Sequence, residues 1–354
     1  MAPRKPTTPP QSASRVTLKT IAEMTGLSLS TVSLSLRDGS KLKQETRDKV
    51  AEAAKALGYV PDRAGVRLRT GKTNVIALVL DSAEDSIDFA RQMIQGIGQG
   101  IRGTRYHLTV IPEFERSNSD ETIRYVLENR TADGVIITHT RPRDRRVQMM
   151  MDANFPFVSH GRTEFYAPHP YHDFDSHSFT VMAVERLVAK GCRCIRLAMG
   201  DDRTTYFHTV QTAFLQATAK AGVEAFVHES LMGRSPNETR AIGSALAKES
   251  KTPFGIICDS EMRTIALVGG MQEAGAVMGR DFHVVYKQTS GILPAFFPNM
   301  DSLREDVFSA GQELTRILLE RINGEKPSLL QTLASPQPHW RPQPAEDLST
   351  HDPS

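Results

Sequence analysis

The chain carries two kinds of hydrophobic pattern, one in its first 70 residues and another after them. Between residues 16 and 60, small and branched apolar residues recur at helical spacing. This spacing predicts two short helices around a tight turn at Gly26, followed by a third helix from about Gln44 to Leu57 that ends at Gly58. The residues expected to pack between the first two helices are Ile21, Ala22, Leu27 and Val32.

From residue 73 onward, short and dense apolar runs alternate with longer segments of helical spacing. Alternating strands and helices predict parallel sheets covered on both faces, and seven such units suit two doubly wound lobes better than one. The fold class expected is therefore α/β, with a small all-α domain before it. The predicted strands are 74–80, 106–111, 133–138, 155–159, 192–199, 254–258 and 282–286, and the predicted helices are 85–103, 119–129, 176–190, 207–221, 237–249, 261–274 and 302–323.

The composition, 39% hydrophobic and 24% charged residues, is ordinary for a globular protein with room for two or three units. Residues 1–15 hold no apolar stretch after their basic residues, so we expect no signal peptide or transit helix there, and a disordered segment instead. No stretch is apolar enough for a membrane span. Three cysteines inside apolar segments predict reduced thiols and a cytoplasmic protein. The Pro-rich segment 335–354 is predicted to be a disordered tail.

Charge separates the two regions. Residues 1–70 hold 13 Lys and Arg against 6 Asp and Glu, whereas residues 71–354 hold 30 against 35. A basic segment that coincides with a helix-turn-helix pattern is typical of a module that contacts DNA phosphates. In such a module the second helix, predicted at 29–36, lies in the major groove. It would present Leu29, Ser30, Ser33 and Leu34 to the base edges.

Particular residues strengthen this interpretation. The segment VTLKTIAEMTGLSLSTVSLSL (16–36) resembles the opening of the LacI family of transcriptional regulators, with Lys19 and Thr20 where an acidic second residue is usual. Tyr59, Pro61, Asp62 and Leu68 then match that family's hinge, with Asp62 in place of the common Asn. The resemblance implies a hinge that folds on DNA, so that paired leucines enter the minor groove. The predicted DNA-binding residues are Thr17, Leu18, Ser28, Leu29, Ser30, Thr31, Ser33, Leu34, Arg37, Lys41, Lys43, Thr46, Arg63, Arg67 and Leu68.

One departure from the family concerns base recognition. Leu34 occupies the position after T-V-S, where an arginine often reads guanine. A leucine makes no bidentate contact with guanine, but it packs on a thymine methyl group. We therefore expect an operator that differs from the family's usual CG-centred half-site.

The resemblance continues through the body, in AVERLVAKGCRCIRLAMG (183–200), IICDSE (256–261) and LREDVFSAGQELTRILLERINGEKP (303–327). It implies a periplasmic-binding-protein-like core with a ligand site between two lobes. Because ligands of open parallel sheets meet the carboxyl ends of the strands, His139 and Lys287 also lie in the expected region. The residues predicted to bind a ligand are Asp81, Thr138, His160, Arg162, Tyr206, His208, Asp259 and Gln288. Polar side chains of this kind, with a tyrosine to stack, suit a sugar or sugar derivative.

Two other interpretations compete with this one. HPYHDFDSH (169–177) holds His and Asp residues that could bind a divalent metal in an enzyme, although the resemblance assigns Asp175 to the start of the next helix. A solute-binding protein without a regulatory role is the other alternative. Gly98, Gly100 and Gly103 spell the G-x-G-x-x-G of dinucleotide sites, but they lie deep in a predicted helix, where close helix packing is the better explanation.

The sequence thus predicts a cytoplasmic homodimeric transcriptional regulator, with repression favoured by the resemblance. It would bind a pseudo-palindromic double-stranded DNA operator under the control of a sugar-like effector, with no cofactor, no metal and no catalytic activity. The predicted organisation is a disordered segment (1–15), a helix-turn-helix domain (16–60), a hinge (61–72), a two-lobed core for ligand binding and dimerisation (73–334) and a tail (335–354).

Overall fold

The computed structural model describes residues 16–36, 42–60, 65, 67, 70–81, 87–113, 119–165, 167–249 and 253–341. The chain divides into two compact units, Met1–Thr73 and Asn74–Ser354. The predicted disordered N-terminus (1–15) and most of the predicted hinge (61–72) lie outside the described residues.

In residues 16–36 and 42–60, the first unit forms a small domain of three helices. Its helices are α1 (Leu18–Thr25), α2 (Leu29–Ser35) and α3 (Gln44–Ala56). Thr17 caps α1 by accepting a hydrogen bond from the Thr20 backbone N–H. Gly26 ends α1 with a φ of 68°, a left-handed conformation that glycine adopts without a Cβ penalty.

The core of this domain is small and apolar. Ile21 of α1, Val32 of α2 and Val50 of α3 are wholly buried against one another, with Ala53 beside them. Ala22 and Leu27 pack at the edge of this cluster, as predicted. Each helix is too short to be stable alone, so this apolar contact holds α2 in place.

The second unit contains two six-stranded sheets, one in each of two lobes. The first-lobe sheet has the order β11-β5-β4-β3-β1-β2, and the second-lobe sheet has the order β12-β10-β9-β8-β6-β7. All neighbouring strands run parallel except β10 and β12. The strands are β1 (Val75–Asp81), β2 (His107–Glu113), β3 (Gly134–Ile137), β4 (Phe157–His160), β5 (Tyr171–Phe174), β6 (Cys194–Ala198), β7 (Glu224–Val227), β8 (Phe254–Cys258), β9 (Phe282–Gln288), β10 (Asp301–Arg304), β11 (Gln331–Ala334) and β12 (Gln337–His339).

Helices cover both faces of each sheet, as the continuous apolar strands require. In the first lobe, helices Ile87–Gly100 and Val307–Ile322 pack on one face of the sheet, and helices Ser119–Asn129 and Arg145–Asp152 pack on the other. Of the helices in the described residues, none is long and apolar enough to cross a membrane. The helices are α4 (Ile87–Gly100), α5 (Ser119–Asn129), α6 (Arg145–Asp152), α7 (Ser176–Ala189), α8 (Thr205–Ala221), α9 (Pro236–Glu249), α10 (Glu261–Glu273), α11 (Ile292–Phe296) and α12 (Val307–Ile322).

The chain passes between the two lobes three times. It crosses from β5 to α7, from β10 to α12, and from β11 to β12. The first two crossings leave the carboxyl end of a strand and enter the amino end of a helix. They therefore place residues 175 and 305 between the lobes, at the edge where open parallel sheets bind ligands.

The structure corrects two predictions about chain segments. The predicted helix 302–323 is a strand, Asp301–Arg304, followed by a helix that begins at Val307, because Ser302 and Leu303 are buried in register beside β9. The predicted start of the disordered tail, residue 335, is also wrong. Residues 337–339 form an antiparallel strand on β10, and Arg341 donates its backbone N–H to Asp301, whereas residues 342–354 lie outside the described part.

Glycines set the contact between α4 and α12. A Cβ at Gly96 would collide with the Phe308 carbonyl oxygen, and one at Gly100 would lie 2.8 Å from Thr315 Cβ. The packing role predicted for the G-x-G-x-x-G glycines therefore applies to Gly100. It is wrong for Gly98 and Gly103, whose Cβ positions have no neighbour within 4 Å.

Two substitutions in α4 are expected to change stability in opposite directions. Gly96→Ala forces α12 to shift and should lower the free energy of unfolding by about 1–3 kcal/mol. Gly98→Ala, the matched control in open space two residues away, should raise it by roughly 0.5–1 kcal/mol because alanine loses less backbone entropy in a helix. Urea denaturation measures both, and equal effects would show that α4 and α12 do not approach this closely.

Candidate functional site

The outer face of α2 is the candidate DNA-contacting surface. Val32 and Ser35 point into the three-helix core, which turns the remaining side chains of the helix outward. Leu29 is 53% exposed and Leu34 is 39% exposed, although both are large apolar residues. Ser28 caps the helix, and its hydroxyl lies 2.9 Å from Ser30 Oγ and 2.8 Å from Thr31 Oγ1.

The other predicted DNA-binding residues of this domain lie around α2. Thr17 is exposed at the start of α1, Leu18 packs at the edge of the domain core, and Ser33 is half-buried. Lys43 is exposed before α3, and the backbone carbonyl of Thr46 accepts a hydrogen bond from Ser35 Oγ. Arg67 is exposed in helical backbone. The remaining four predicted residues lie outside the described part of the chain: Arg37, Lys41, Arg63 and Leu68.

A buried carboxylate lies at the second crossing of the body. Glu305 follows β10, is 3% exposed, and lies between basic side chains of both lobes. Its Oε1 is 3.0 Å from Nε2 of His160 at the end of β4, and its Oε2 is 2.7 Å from Nζ of Lys287 on β9. Burial acts to raise the pKa of Glu305, but Lys287 and His160 overcome this effect and hold the pKa well below its usual range.

Tyr206 lies over this ion cluster. The Lys287 ammonium group is 4.5 Å from the centre of the Tyr206 ring and 5.2 Å from that of Phe174. The Tyr206 hydroxyl is buried and has no hydrogen-bond partner among the described residues. Burial raises the pKa of Tyr206 well above its usual value, and the charges of Asp259 and Glu305 raise it further. The phenol therefore stays protonated, and its O–H group has no acceptor among the described residues.

Two further ion pairs lie in the same region, one from each lobe. Arg162 Nε is 2.6 Å from Asp173 Oδ2 in the first lobe. In the second lobe, Asp259 accepts hydrogen bonds from Arg263 Nε and from the Gly200 backbone N–H, both at 2.9 Å. The carboxylates of Asp259 and Asp173 both raise the pKa of the Tyr206 phenol, so both pairs lie in its neighbourhood.

Direct hydrogen bonds also join the two lobes here. The Thr205 backbone N–H at the start of α8 donates to the Thr140 carbonyl of the first lobe at 2.9 Å. The Gln92 amide of α4 donates to the Thr289 carbonyl of the second lobe. We call the set of His160, Arg162, Asp173, Tyr206, Asp259, Arg263, Lys287 and Glu305 the interlobe site.

The structure places the remaining predicted ligand residues apart from this set or gives them protein partners. Gln288 is 6% exposed and bonded to Ser290, Ser302 and His339, while Thr138 is buried, with its hydroxyl 3.1 Å from His139 Nδ1. Tyr206 and His208 both belong to α8, which begins at Thr205, and His208 is exposed. Asp81 ends β1, and its side chain is outside the description.

The His and Asp residues of 169–177 serve separate structural purposes. His169 Nε2 lies 3.3 Å from the hydroxyls of Ser159 and Thr163, and His172 Nδ1 lies 2.8 Å from Thr332 Oγ1. Asp175 caps α7 through the Ser178 N–H, which confirms the position assigned to it by the resemblance. Among the described residues, no group of three or more potential ligands is arranged to hold a metal ion.

Two of the three cysteines belong to the core. Cys192 and Cys258 are buried in the second-lobe core, and burial raises the pKa of each thiol to about 12. Both therefore stay protonated and behave as small apolar residues.

Glu305, Arg263 and Asp173 are the members of the interlobe site that were not predicted to lie in the ligand region, and Asp173 appeared only in the segment 169–177 considered for a metal. Glu305 lay hidden inside the predicted helix 302–323. Had the short strand Asp301–Arg304 been recognised, the rule of carboxyl strand ends would have selected the next residue. Arg263 has no comparable signal, because it reaches Asp259 across one turn of α10.

The two units together define a class of protein, in which a helix-turn-helix domain accompanies a two-lobed α/β body. Comparison with known families agrees with this class. Residues 17–62 match the model of bacterial regulatory proteins of the lacI family, and residues 184–342 match the periplasmic binding protein-like domain.

Individual relatives agree as well. The chain is 29% identical to the HTH-type transcriptional regulator RafR of Escherichia coli over 334 residues, which cover 91% of this chain and 96% of that protein. Its fold is similar to the lac repressor dimer bound to operator and the anti-inducer ONPF, with a TM-score of 0.76, 19% identity, and coverage of 92% and 97% of the two chains. It is also similar to the CelR–cellobiose complex, with a TM-score of 0.67, 22% identity, and coverage of 93% and 100%. The chain belongs to the LacI family and is a DNA-binding transcriptional regulator.

Burial of His172 on β5 predicts a loss of stability in mild acid. Burial and the nearby His160 lower the pKa of His172 from 6.5 to about 4, so the unfolded chain binds a proton at a higher pH than the folded chain. Stability should therefore fall as the pH falls from 6.5 towards 4, by about 1.4 kcal/mol per pH unit for this group. Denaturation of wild type and His172→Gln across this range measures the difference in slope.

His177→Gln provides the control for that experiment, since His177 is exposed one turn into the neighbouring helix α7. The control should keep the wild-type slope. A wild-type slope in His172→Gln would show that His172 titrates normally and that its burial has been misjudged.

Proposed function

We propose that this regulator is a dimeric repressor whose operator affinity is set by a saccharide bound at the interlobe site. The observation that carries the proposal is the interlobe site itself. It combines residues of both lobes around a buried hydroxyl, in a chain that also bears a helix-turn-helix domain. The regulator acts by binding rather than by catalysis, and we infer that it works in the cytoplasm.

The chemistry of the interlobe site supports a polyhydroxylated ligand. Tyr206 offers an aromatic ring and an unpartnered hydroxyl, and the ion pairs beside it present carboxylate oxygens and guanidinium N–H groups within a short span. Vicinal hydroxyls of a sugar donate and accept at once, so they satisfy such a mixed set. The CelR complex of similar fold holds cellobiose, which is in line with this ligand class.

Ligand control follows from the position of the site. Both lobes contribute to it, so a ligand that contacts both binds one arrangement of the lobes more tightly than others. Only this differential affinity can shift the population of arrangements and thereby alter operator affinity.

The proposal assigns operator recognition to α2 and a pseudo-palindromic DNA site to the dimer. Two copies of one domain, related by two-fold symmetry, read two half-sites of the same sequence. The lac repressor of similar fold is a dimer on its operator. Exposed Leu29 and Leu34 supply apolar contacts of the kind that a thymine methyl accepts.

Base preference should change with the residue at position 34. Leu34→Arg is expected to shift the preference at one position of each half-site towards guanine by about 1–3 kcal/mol, because arginine makes a bidentate contact with guanine. Selection of binding sites from random DNA measures this change. Met24→Arg adds the same charge at an exposed position of α1 and should raise affinity for all DNA without changing preference. Unchanged preferences in Leu34→Arg would remove Leu34 from the bases.

Removal of one oxygen from the interlobe site tests the ligand. Tyr206→Phe leaves every hydrogen bond among the described residues in place, since the hydroxyl makes none with them, so the free energy of unfolding should stay level or rise. Saccharide affinity should fall by about 0.5–1.5 kcal/mol, or roughly three- to tenfold. Calorimetric titration with cellobiose, maltose, melibiose, trehalose and raffinose measures it, with Tyr125→Phe at an exposed position of α5 as control. Wild-type affinity in Tyr206→Phe would place the saccharide elsewhere.

A further inference from the structure

We propose that Glu305 determines which ligand charge the interlobe site accepts. Because Glu305 already pairs with Lys287 and His160, the site binds an uncharged saccharide and rejects phosphorylated or acidic ones. The inference rests on the proposed function and narrows it to one chemical class. Glu305 acts through Lys287 and His160, so it is a positioning residue whose effect appears as ligand selectivity.

Each cation of the interlobe site already has a carboxylate partner. Arg162 pairs with Asp173 at 2.6 Å, and Lys287 pairs with Glu305 at 2.7 Å. Arg263 pairs with Asp259 at 2.9 Å. Of the described cations around Tyr206, none is left over for an anion, and the three carboxylates would repel one.

The Lys287–Glu305 pair is the most buried of these three ion pairs. The side chains of Glu305 and Lys287 are 2% and 14% exposed, so both charges are shielded from water and depend on each other. A phosphate that recruited Lys287 would leave the Glu305 carboxylate buried and without its main partner, which is unfavourable. A sugar hydroxyl, in contrast, adds a hydrogen bond to the cluster and breaks none.

Several backbone N–H groups near the crossings also donate to carboxylates of the protein. A helix N-terminus normally attracts phosphate through its free N–H groups. Here Asp175 accepts the Ser178 N–H and Asp306 accepts the Ser309 N–H, so a carboxylate already occupies the amino end of both crossing helices. Glu261 Oε1 accepts the Thr289 and Ser290 N–H groups after β9, at 3.0 and 2.8 Å. The side-chain donors and the backbone donors therefore both favour an uncharged ligand.

Matched saccharides that differ only in charge test the inference on the wild-type protein. Calorimetric titrations should use trehalose against trehalose 6-phosphate and cellobiose against cellobionate, with the full chain. The neutral member of a binding pair is expected to bind at least about tenfold more tightly, which corresponds to 1.4 kcal/mol. Equal or tighter binding of the charged member would overturn the inference while leaving a saccharide site in place. Binding of neither member in any pair would refute the saccharide site, and the selectivity with it.

Variants of the pair then assign the selectivity to Glu305. Glu305→Gln frees Lys287 and should reduce the preference for the neutral member by at least about tenfold. Adding Lys287→Met to Glu305→Gln should restore the wild-type preference, since the freed cation is gone. A purely structural role of Glu305 would weaken both members alike, keep their ratio, and contradict the inference.

Two further variants keep the test decisive if Glu305→Gln does not fold and supply a control. Lys287→Met alone retains the Glu305 carboxylate and should weaken the charged member further, so a Lys287→Met variant that gains affinity for it would overturn the inference even if Glu305→Gln does not fold. Glu273→Gln removes an exposed carboxylate that pairs with Arg240 on the far side of α10, and it should leave the ratio unchanged.

Discussion

A buried carboxylate between two lobes is the constraint on which the body of this regulator depends. Glu305 lies where the chain leaves the second sheet for α12, and burial alone would neutralise it. Lys287 and His160 keep it charged, and they come from different sheets. The ion cluster therefore links both lobes and the segment that crosses between them. Any change in the arrangement of the lobes must either preserve these two contacts or leave a charge buried without a partner, which is costly.

The DNA-binding domain depends on a different kind of interaction. Its three short helices are held by a few apolar side chains, of which Ile21, Val32 and Val50 are wholly buried. That cluster fixes the rotation of α2, and the rotation decides which residues face outward. The exposure of Leu29 and Leu34 thus follows from the burial of Val32 on the opposite face. A regulator can vary its outward residues freely, because the core that orients them lies on the other side of the helix.

Where sequence reasoning failed, the cause was local. Ser302 and Leu303 are followed by a long amphipathic helix, so their own short strand had no period to reveal it, and Glu305 was read as part of the helix. Residues 337–339 are polar and proline-containing, yet they pair with β10, and Arg341 follows with a hydrogen bond to Asp301. Neither segment forms a strand by propensity. Each does so because an edge of the second sheet offers unpaired backbone groups beside it.

The sequence by itself determined the class of this protein: the helix-turn-helix spacing, the basic charge of the first 70 residues, the alternation of strands and helices, and the strand ends where His160, Arg162 and Asp259 lie. These features are periodic or local, and a one-dimensional pattern records them. Only the tertiary structure decided which of the polar residues meet. His160 is far along the chain from Lys287 and Glu305, and the packing of both lobes buries the Tyr206 hydroxyl without a hydrogen-bond partner among the described residues. Pairing between charges depends on distance in space and on the exclusion of water, and neither of these is recorded in the spacing of residues along the chain.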